Sequence, residues 1–309
     1  MNLHQLIETS AQQLEQAQVA YGHGTLNAHD EAVWLILWQL KLPIDLSLSN
    51  DLKELQQSID ETGVAIDAHQ LSPAQINECQ ALITKRIQSR KPAAYLTQEA
   101  WLQGIPFYVD ERSIVPRSFI AELIADGDFD GWLSETSHQF LDLCTGNGSL
   151  AVLCAMAYPE VSVVAADIST DALEVARINI EKHQLSDRIR CIQSDGLNAV
   201  SDTFDCIICN PPYVCEASMQ ALPQEYLAEP QLALAGGTDG MDFIRQLLLD
   251  LPSRMNERAI LVLEIGNERE HFEAAFPHLE AVWLETSAGE DQVLLITKEA
   301  LMASQATGH

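Results

Sequence analysis

The chain has 309 residues, 47% of them hydrophobic, which is enough for two ordinary domains with their own cores. A formal net charge of −28 leaves little positive surface to displace counterions from nucleic acid, so nonspecific nucleic-acid binding is not expected. Apolar runs such as residues 32–38 are far too short to cross a bilayer, no signal peptide is evident, and seven scattered cysteines are typical of reduced thiols. We therefore expect a cytoplasmic protein without a membrane partner.

Residues 1–97 are predicted to form a helical domain. Ser72 and Pro73 are a favourable N-cap and first helical residue, and apolar side chains follow at helical spacing until Pro92. Through Thr84 this segment has two basic residues against eleven acidic ones. A surface of this charge attracts basic proteins and speeds the encounter with them.

Residues 98–118 are predicted to form a hairpin linker, because apolar residues alternate on both sides of Asp110 and Glu111. From residue 119 to residue 309, strand and helix patterns alternate. This order predicts an α/β domain with a parallel sheet and helices on both of its faces.

The end of the chain has a different pattern. Residues 259–264 are predicted to be a further buried strand, and residues 282–286 and 292–296 to be a closing antiparallel pair. Residues 303–309 are expected to be a frayed tail.

Glycines follow the first strand of the α/β domain at the point where a helix begins. Residues 140–144 are predicted to be the strand, Thr145-Gly146-Asn147-Gly148 the loop and residues 149–157 the helix. Glycines let a cofactor approach the backbone, and the start of the helix offers free N–H groups. The loop is therefore a candidate cofactor site.

Acidic residues end the next two predicted strands. Residues 161–166 lead to Asp167, and residues 189–194 lead to Asp195. Asp167 lies 25 positions beyond Asp142, near the spacing at which an acid after the second strand reaches ribose hydroxyls. Because the carboxyl ends of parallel strands meet at one edge of a sheet, a ligand site is expected there.

Two cofactors are compatible with the glycine loop. Gly146, Gly148 and Ala151 match the dinucleotide fingerprint, which alone is weak evidence. Asp142, four positions before the glycines, would repel a pyrophosphate but attracts an ammonium or a sulfonium. We therefore favour S-adenosylmethionine over a nicotinamide dinucleotide. The predicted cofactor-binding residues are Asp142, Cys144, Thr145, Gly146, Asn147, Gly148, Asp167, Ile168, Asp195, Gly196 and Asn210.

Asn210-Pro211-Pro212-Tyr213 follows the apolar strand predicted over residues 204–209. The prolines hold their own φ angles and keep Asn210 extended. The result is a rigid ledge with one amide side chain, two carbonyls and an aromatic ring, which suits a planar –NH2 group. These four residues are the predicted catalytic residues.

Cys206 and Cys209 belong to the same predicted strand. Since they are three positions apart, their side chains are expected to point to opposite faces and cannot close on one ion. We therefore expect small core residues here and no metal site.

These motifs resemble those of the HemK/Prm group of protein-glutamine N5-methyltransferases, and the resemblance covers most of the chain. Its further segments are residues 91–96, 115–117, 167–169, 226–234, 236–240 and 263–266. The resemblance implies a class I (Rossmann-like) methyltransferase fold with a helical N-terminal domain for substrate recognition. It also implies methyl transfer from S-adenosylmethionine to the side-chain amide nitrogen of a glutamine.

The segment after Arg117 separates two branches of this group. The branch that modifies release factors usually continues with Pro-Glu-Thr-Glu, whereas this chain has Ser118-Phe119-Ile120-Ala121-Glu122. Together with residues 21–25, this segment looks like the PrmB branch, which methylates a glutamine of the third large-subunit ribosomal protein. The implied partner is therefore a large-subunit ribosomal protein, and a release-factor glutamine is the alternative.

Other functions share parts of this pattern. An adenine N6-methyltransferase would use the same ledge, because adenine also presents a planar –NH2, but the charge and the lack of a basic recognition domain favour a protein substrate. A noncatalytic adaptor that only binds S-adenosylmethionine would not need an intact Asn-Pro-Pro-Tyr.

The basic residues from Lys85 to Lys91 could contact ribosomal RNA or an acidic neighbour, or form a solvated helix end.

Overall fold

The computed structural model describes residues 1–44 and 71–307. Lys53 and six of the acidic residues counted in the helical segment lie outside these ranges. The last two residues of the predicted tail, 308 and 309, lie outside them as well. None of the helices in the described ranges combines the length and apolar character that a bilayer-spanning segment requires.

The first of two structural units consists of Met1–Gln98 and Pro223–Ala228. Its helices are α1 Leu3–Gln16, α2 Ala28–Leu40, α3 Pro73–Ser89 and α4 Ala93–Thr97. Helix α3 begins where the sequence predicts. There, Ser72 Oγ accepts a hydrogen bond from Gln75 N, and Gln75 Oε1 accepts one from Ser72 N.

A buried arginine joins the parts of this unit. Arg86 is fully buried, and it donates hydrogen bonds to Glu31 at 2.8 Å and to Glu225 at 3.3 Å. Arg90 also pairs with Glu225, at 3.1 Å. Burial raises the pKa of Glu31, and the charge of Arg86 opposes that shift. Both arginines of the basic segment 85–91 are therefore engaged inside the unit.

The second unit consists of Glu99–Leu222 and Glu229–His309. Its strands are β1 Glu99–Leu102, β2 Ile105–Tyr108, β3 Gln139–Leu143, β4 Ser162–Asp167, β5 Ile189–Gln193, β6 Phe204–Cys209, β7 Met255–Glu264, β8 Val282–Thr286 and β9 Gly289–Thr297. Its helices are α5 Ile120–Asp126, α6 Ser149–Ala157, α7 Thr170–Lys182, α8 Glu216–Ala221, α9 Asp242–Asp250, α10 Arg269–Ala275 and α11 Lys298–Thr307.

Strands β1 and β2 form the hairpin, and they pair antiparallel on either side of Gln103 and Gly104. The predicted turn at residues 110 and 111 is therefore wrong. Gln103 and Gly104 have φ angles of 50° and 71°, which a two-residue hairpin loop requires. Residues 110–113 form a separate turn, closed by a hydrogen bond from Ser113 N to the Asp110 carbonyl.

Strands β3 to β9 form one sheet in the order β5-β4-β3-β6-β7-β9-β8. Strands β5, β4, β3, β6 and β7 are parallel, and β9 runs antiparallel to both β7 and β8. The predicted parallel sheet with a closing antiparallel pair is confirmed. The carboxyl ends of the parallel strands consequently lie at one edge of the sheet.

Alternate strand residues pack into two cores, one on each face of the sheet. Phe140 and Cys206 belong to one core, and Leu141 and Cys209 to the other. The two cysteines therefore point to opposite faces as predicted, and burial raises the pKa of both thiols. Within the described residues, no group of three His, Cys, Asp or Glu side chains is placed to hold a metal ion.

The predicted frayed tail is wrong for residues 303–307, which belong to helix α11. Leu301 is buried in the core, and Gln305 Nε2 donates a hydrogen bond to the Leu248 carbonyl at 2.9 Å. The helix packs mainly against β7 and β9, and Lys298 Nζ donates a hydrogen bond to the Met255 carbonyl at 2.6 Å. No pattern within the tail itself indicates these contacts.

Candidate active site

A cavity of about 190 Å³ opens at the carboxyl edge of the sheet, where β3, β4, β5 and β6 end. Eight of the predicted site residues line it: Cys144, Gly146, Asp167, Ile168, Asp195, Gly196, Asn210 and Pro212. Six others do not line it: Asp142, Thr145, Asn147, Gly148, Pro211 and Tyr213. The structure thus brings the glycine loop, both strand-end acids and the start of the ledge to one cavity.

Asp167 ends β4 and is half-buried in the cavity wall. Its Oδ2 accepts a hydrogen bond from Gly146 N, and its Oδ1 accepts one from Ser169 N, both at 2.9 Å. Burial raises the pKa of this carboxyl, and the backbone N–H groups oppose that shift. Each carboxylate oxygen has a second lone pair, so the side chain can still accept hydroxyl donors from a ligand.

The glycine loop depends on backbone freedom and on close packing. Gly146 and Gly148 have φ angles of 55° and 80°, in the left-handed region that favours glycine. A Cβ on Gly148 would lie only 3.0 Å from the Cβ of Ala176 on α7. Behind the loop, Asn179 Nδ2 donates a hydrogen bond to the Asn147 carbonyl at 2.9 Å. Helix α7 therefore sets the position of the loop.

Asp142 lies behind the same loop and is fully buried. Its Oδ2 accepts hydrogen bonds from Thr145 Oγ1 and from Ala151 N, whereas its Oδ1 has no partner within the described residues. Burial raises the pKa of Asp142 to about 7, and the two hydrogen bonds oppose that shift. Asp142 therefore supports the loop from below and does not form the cavity wall.

Two buried polar atoms behind the loop are unpaired. Within the described residues, Asp142 Oδ1 lacks a donor and Asn147 Nδ2 lacks an acceptor, and neither residue lines the cavity. Their charge and polarity complement the ammonium and the carboxylate of an α-amino acid on the cavity side of the loop. Asp167 suits ribose hydroxyls, and the exposed Asp195 and Ile168 suit an adenine N–H and its ring. The residues present therefore fit S-adenosylmethionine.

The Asn-Pro-Pro-Tyr ledge follows β6 directly. Asn210 is half-buried in the cavity, and its side-chain amide makes no hydrogen bond with any residue that the structure describes. Pro211 and Pro212 have no N–H to donate. The Tyr213 hydroxyl donates a hydrogen bond to Glu264 Oε1 at 3.2 Å. The Asn210 oxygen is thus available to a substrate, whereas the Tyr213 hydroxyl is already engaged.

The chain beyond the ledge is fixed by backbone hydrogen bonds. Val214 N donates to the Leu234 carbonyl, and Gly236 N donates to the Val214 carbonyl, both at 2.9 Å. A Cβ on Gly236 would lie 2.8 Å from the carbonyl oxygen of Pro212. The backbone around Gly236 therefore lies so close to the ledge that position 236 requires glycine.

Glu229 joins two segments of the cavity wall. Its carboxylate accepts two hydrogen bonds from the Arg117 guanidinium, both at 2.7 Å, and one from Val115 N at 2.9 Å. The cavity is lined by residues 112–114 on one side and by Pro230, Leu232 and Ala233 on the other. This bidentate pair, whose carboxylate is buried and whose guanidinium is partly exposed, consequently holds both segments in place.

Part of the cavity wall was missed by reasoning from the sequence. The further lining residues are Arg112, Ser113, Ile114, Leu143, Ser169, Ala172, Ser194, Pro230, Leu232, Ala233 and Phe243. Residues 112–114 lie beside Val115, and Pro230, Leu232 and Ala233 lie within residues 226–234. Val115 and residues 226–234 belong to the family resemblance, and this position in the sequence could have indicated that both segments line the site. Phe243 had no such signal, because it comes from α9, which carries no motif of its own.

A parallel sheet with a glycine loop after β3, an acid after β4 and Asn-Pro-Pro-Tyr after β6 defines an S-adenosylmethionine-dependent class I methyltransferase. Residues 131–257 match the family model described as the methyltransferase small domain. Two similar proteins are named ribosomal protein uL3 glutamine methyltransferases, and the chain belongs to their family. The protein of Bordetella pertussis is 48% identical over 302 residues, and the aligned region covers 97% of this chain and 96% of that protein. That of Neisseria gonorrhoeae is 44% identical over 305 residues, covering 98% and 96%.

A solved structure has a similar fold. The hMettl16 catalytic domain in complex with MAT2A 3′UTR hairpin 6 has a TM-score of 0.50 at 13% identity, covering 81% of this chain and 92% of that chain. At this identity the likeness concerns the fold alone. The predicted class I methyltransferase fold is confirmed. The predicted cofactor is confirmed by the family: S-adenosyl-L-methionine is the methyl donor.

Replacing Asp167 with alanine is expected to weaken cofactor binding about tenfold or more, because charge-assisted hydrogen bonds contribute roughly 1.5–3 kcal/mol. Calorimetry with S-adenosylhomocysteine measures the change. Asp187→Ala, at an exposed position outside the cavity, is the matched control. Unchanged affinity in Asp167→Ala would rule out this role for the carboxylate, and binding of NADH by the native protein would contradict the choice of cofactor.

Proposed function

We propose that this chain transfers a methyl group from S-adenosylmethionine to the side-chain amide nitrogen (N5) of a glutamine in ribosomal protein uL3. The observation that carries the proposal is the free side-chain amide of Asn210 in the cavity, at the start of Asn-Pro-Pro-Tyr. Relatives that are 43–48% identical over nearly the whole chain are named ribosomal protein uL3 glutamine methyltransferases, which is the activity proposed here. Those names favour neither nucleic-acid adenine nor a release factor as the substrate.

The residues of the ledge act by position. An amide nitrogen is a poor nucleophile, since its lone pair is delocalised. Asn210 Oδ1 and the Pro211 carbonyl accept the two N–H groups of the glutamine amide, which leaves a π face of the nitrogen exposed to the cavity. S-adenosylmethionine, when bound, supplies an electrophilic methyl group on its sulfonium. As the nitrogen bonds to the methyl carbon, the S–C bond would break and S-adenosylhomocysteine would leave. No general base is required beforehand, because the nitrogen passes its proton to solvent water only as positive charge develops on it.

Alignment supplies more of the rate than hydrogen-bond strength does. A neutral hydrogen bond contributes only about 1 kcal/mol net. A held near-attack geometry can contribute several kcal/mol more, because it replaces a rare encounter with a fixed arrangement. The same acceptors repel a glutamate carboxylate, which has no hydrogen to donate, and this kind of discrimination can reach roughly 10⁴.

We also propose a division of labour along the chain. Residues 1–97 would recognise the substrate, residues 98–118 would link the domains, and residues 119–309 would carry out methyl transfer. The support is the acidic composition of the N-terminal segment, which complements the Lys- and Arg-rich surface of a ribosomal protein. A contribution from ribosomal RNA near Lys85–Lys91 has less support, because Arg86 is buried against Glu31.

The proposed compartment is the cytoplasm. All seven cysteines are free thiols, as is usual for proteins in a reducing compartment. Ribosomal proteins that have not yet been assembled would be encountered there.

Methylation of free uL3 is expected to slow as salt rises, mainly through the encounter rate, because the Debye length shortens from about 10 Å at 0.1 M to about 3 Å at 1 M. Assembled subunits should be poor substrates, since a glutamine packed between RNA and protein cannot reach the ledge. Transfer from a labelled methyl donor, followed by peptide mapping, measures both effects. The matched control is uL3 with the mapped glutamine replaced by glutamate, which should accept no label. Equal rates on free and assembled uL3, or preference for DNA, would contradict the proposal.

A further inference from the structure

Glu264 is a buried carboxylate with three hydrogen-bond donors around it. It ends β7, next to β6 in the sheet, and is only 2% exposed. Its Oε2 accepts hydrogen bonds from Ser118 Oγ at 2.6 Å and Phe119 N at 2.9 Å. Its Oε1 accepts the hydroxyl of Tyr213 at 3.2 Å. The carboxylate therefore joins the start of α5 to the last residue of the ledge.

Gly266, two residues further on, contacts the ring of the same tyrosine. A Cβ on Gly266 would lie 2.5 Å from Tyr213 Cε2, and the glycine has a φ angle of 54°. The backbone thus passes directly against the ring because no side chain intervenes. The hydroxyl and the ring of Tyr213 are both held by the segment that follows β7.

The ledge is consequently fixed at both of its ends. On one side, Cys209 is paired with Leu143 of β3 and with Leu263 of β7. On the other side, Tyr213 is held by Glu264. Between these points the two prolines restrict backbone rotation, since each ring fixes its own φ. A displacement of Tyr213 would therefore be transmitted to Asn210.

We propose that Glu264 is a positioning residue for methyl transfer, which acts by holding Tyr213 so that Asn210 keeps the substrate amide in line with the methyl group. The proposal rests on the proposed function, because it assigns Glu264 to the same reaction. Glu264 does not line the cavity, so it is assigned a role through Tyr213. Burial raises the pKa of Glu264, and a carboxylate retained in such a place is typical of functional sites.

Tyr213→Phe tests the proposal most directly, because it removes the hydroxyl and keeps the ring. The kcat of this variant is expected to fall about tenfold, because an interaction that aligns the reacting groups is lost. The KM for S-adenosylmethionine should not change. Glu264→Gln keeps an acceptor oxygen for Tyr213 and should retain more of the rate than Glu264→Leu, which keeps none. Steady-state kinetics on free uL3 measures these parameters.

Tyr158→Phe is the matched control. The Tyr158 hydroxyl also donates a hydrogen bond to a carboxylate, that of Asp130 at 2.7 Å, but outside the cavity. This variant should keep the native kcat, whatever its thermal stability. A native kcat in Tyr213→Phe, or an equal loss in Tyr213→Phe and Tyr158→Phe, would overturn the proposal.

Hydrogen–deuterium exchange keeps this test separate from the test of the proposed function. The peptide covering residues 204–214 should exchange faster in Tyr213→Phe than in Tyr158→Phe, with no substrate present. If the native enzyme failed to methylate uL3, the proposed function would fall, and the exchange data would still decide whether Glu264 fixes the ledge. Unchanged exchange in Tyr213→Phe would overturn the positioning role.

Discussion

Replacing Asn210 with alanine is expected to lower kcat for glutamine methylation by at least about 10²-fold, because near-attack alignment of the amide is lost. Asn210→Gln should lose much of the rate as well, since its amide is displaced by one methylene. Cofactor affinity should stay close to the native value in both variants, because Asp167 and the glycine loop are unchanged. Single-turnover transfer of labelled methyl to free uL3 measures the chemical step, and calorimetry with S-adenosylhomocysteine measures binding.

Asn267→Ala is the matched control for these variants, since Asn267 is exposed and does not line the cavity. It should turn over at the native rate. If Asn210→Ala retained most of its turnover, alignment by this side chain would be wrong, whatever the fold. A parallel loss of cofactor affinity in Asn210→Ala would assign the residue to cofactor binding instead.

Replacing Asp142 with asparagine is expected to stabilise the cofactor-free protein above pH 7. The pKa of Asp142 in the folded protein is about 7, whereas an unfolded aspartate has a pKa of about 3.9. The folded state therefore binds more protons between these values. The contribution of Asp142 to stability is fully present below about pH 4 and is lost as the pH rises through about 7. Asparagine does not ionise, so the variant avoids that loss.

The expected gain at pH 8 is of the order of a few kcal/mol, because one unit of pKa difference corresponds to about 1.36 kcal/mol. Urea unfolding of the native protein and of Asp142→Asn at pH 4 and pH 8 measures it, with the exposed Asp187→Asn as the control. The same variant should bind S-adenosylhomocysteine more weakly, since it lacks the negative charge that attracts an ammonium. An equal difference in stability at both pH values would show that Asp142 does not titrate in this window.

Much of the fold was predictable because its signals are local. The strand expected over residues 204–209 and the helix expected over residues 149–157 have those limits in the structure. The hairpin turn was misplaced because apolar and polar residues continue to alternate beyond the true turn at Gln103 and Gly104. The left-handed φ angle of Gln103, which forms that turn, cannot be read from its residue type. The tail was expected to be frayed because the helix over residues 298–307 is ordered by contacts with distant residues: hydrogen bonds to β7 and α9 join it to residues 43 and 57 positions away in the chain.

The sequence by itself determined the residues that form the glycine loop, the strand-end acids and the Asn-Pro-Pro-Tyr ledge, because each is a run of neighbours whose backbone is restricted by glycine or proline. Only the tertiary structure decided what supports them. Tyr213 and Glu264 are 51 positions apart, and Arg117 and Glu229 are 112 apart. A hydrogen bond needs its two heavy atoms within about 3.2 Å. The order of strands in the sheet, which places β7 beside β6, brings Glu264 to Tyr213, and the path of the loops before α5 and after α8 brings Glu229 to Arg117.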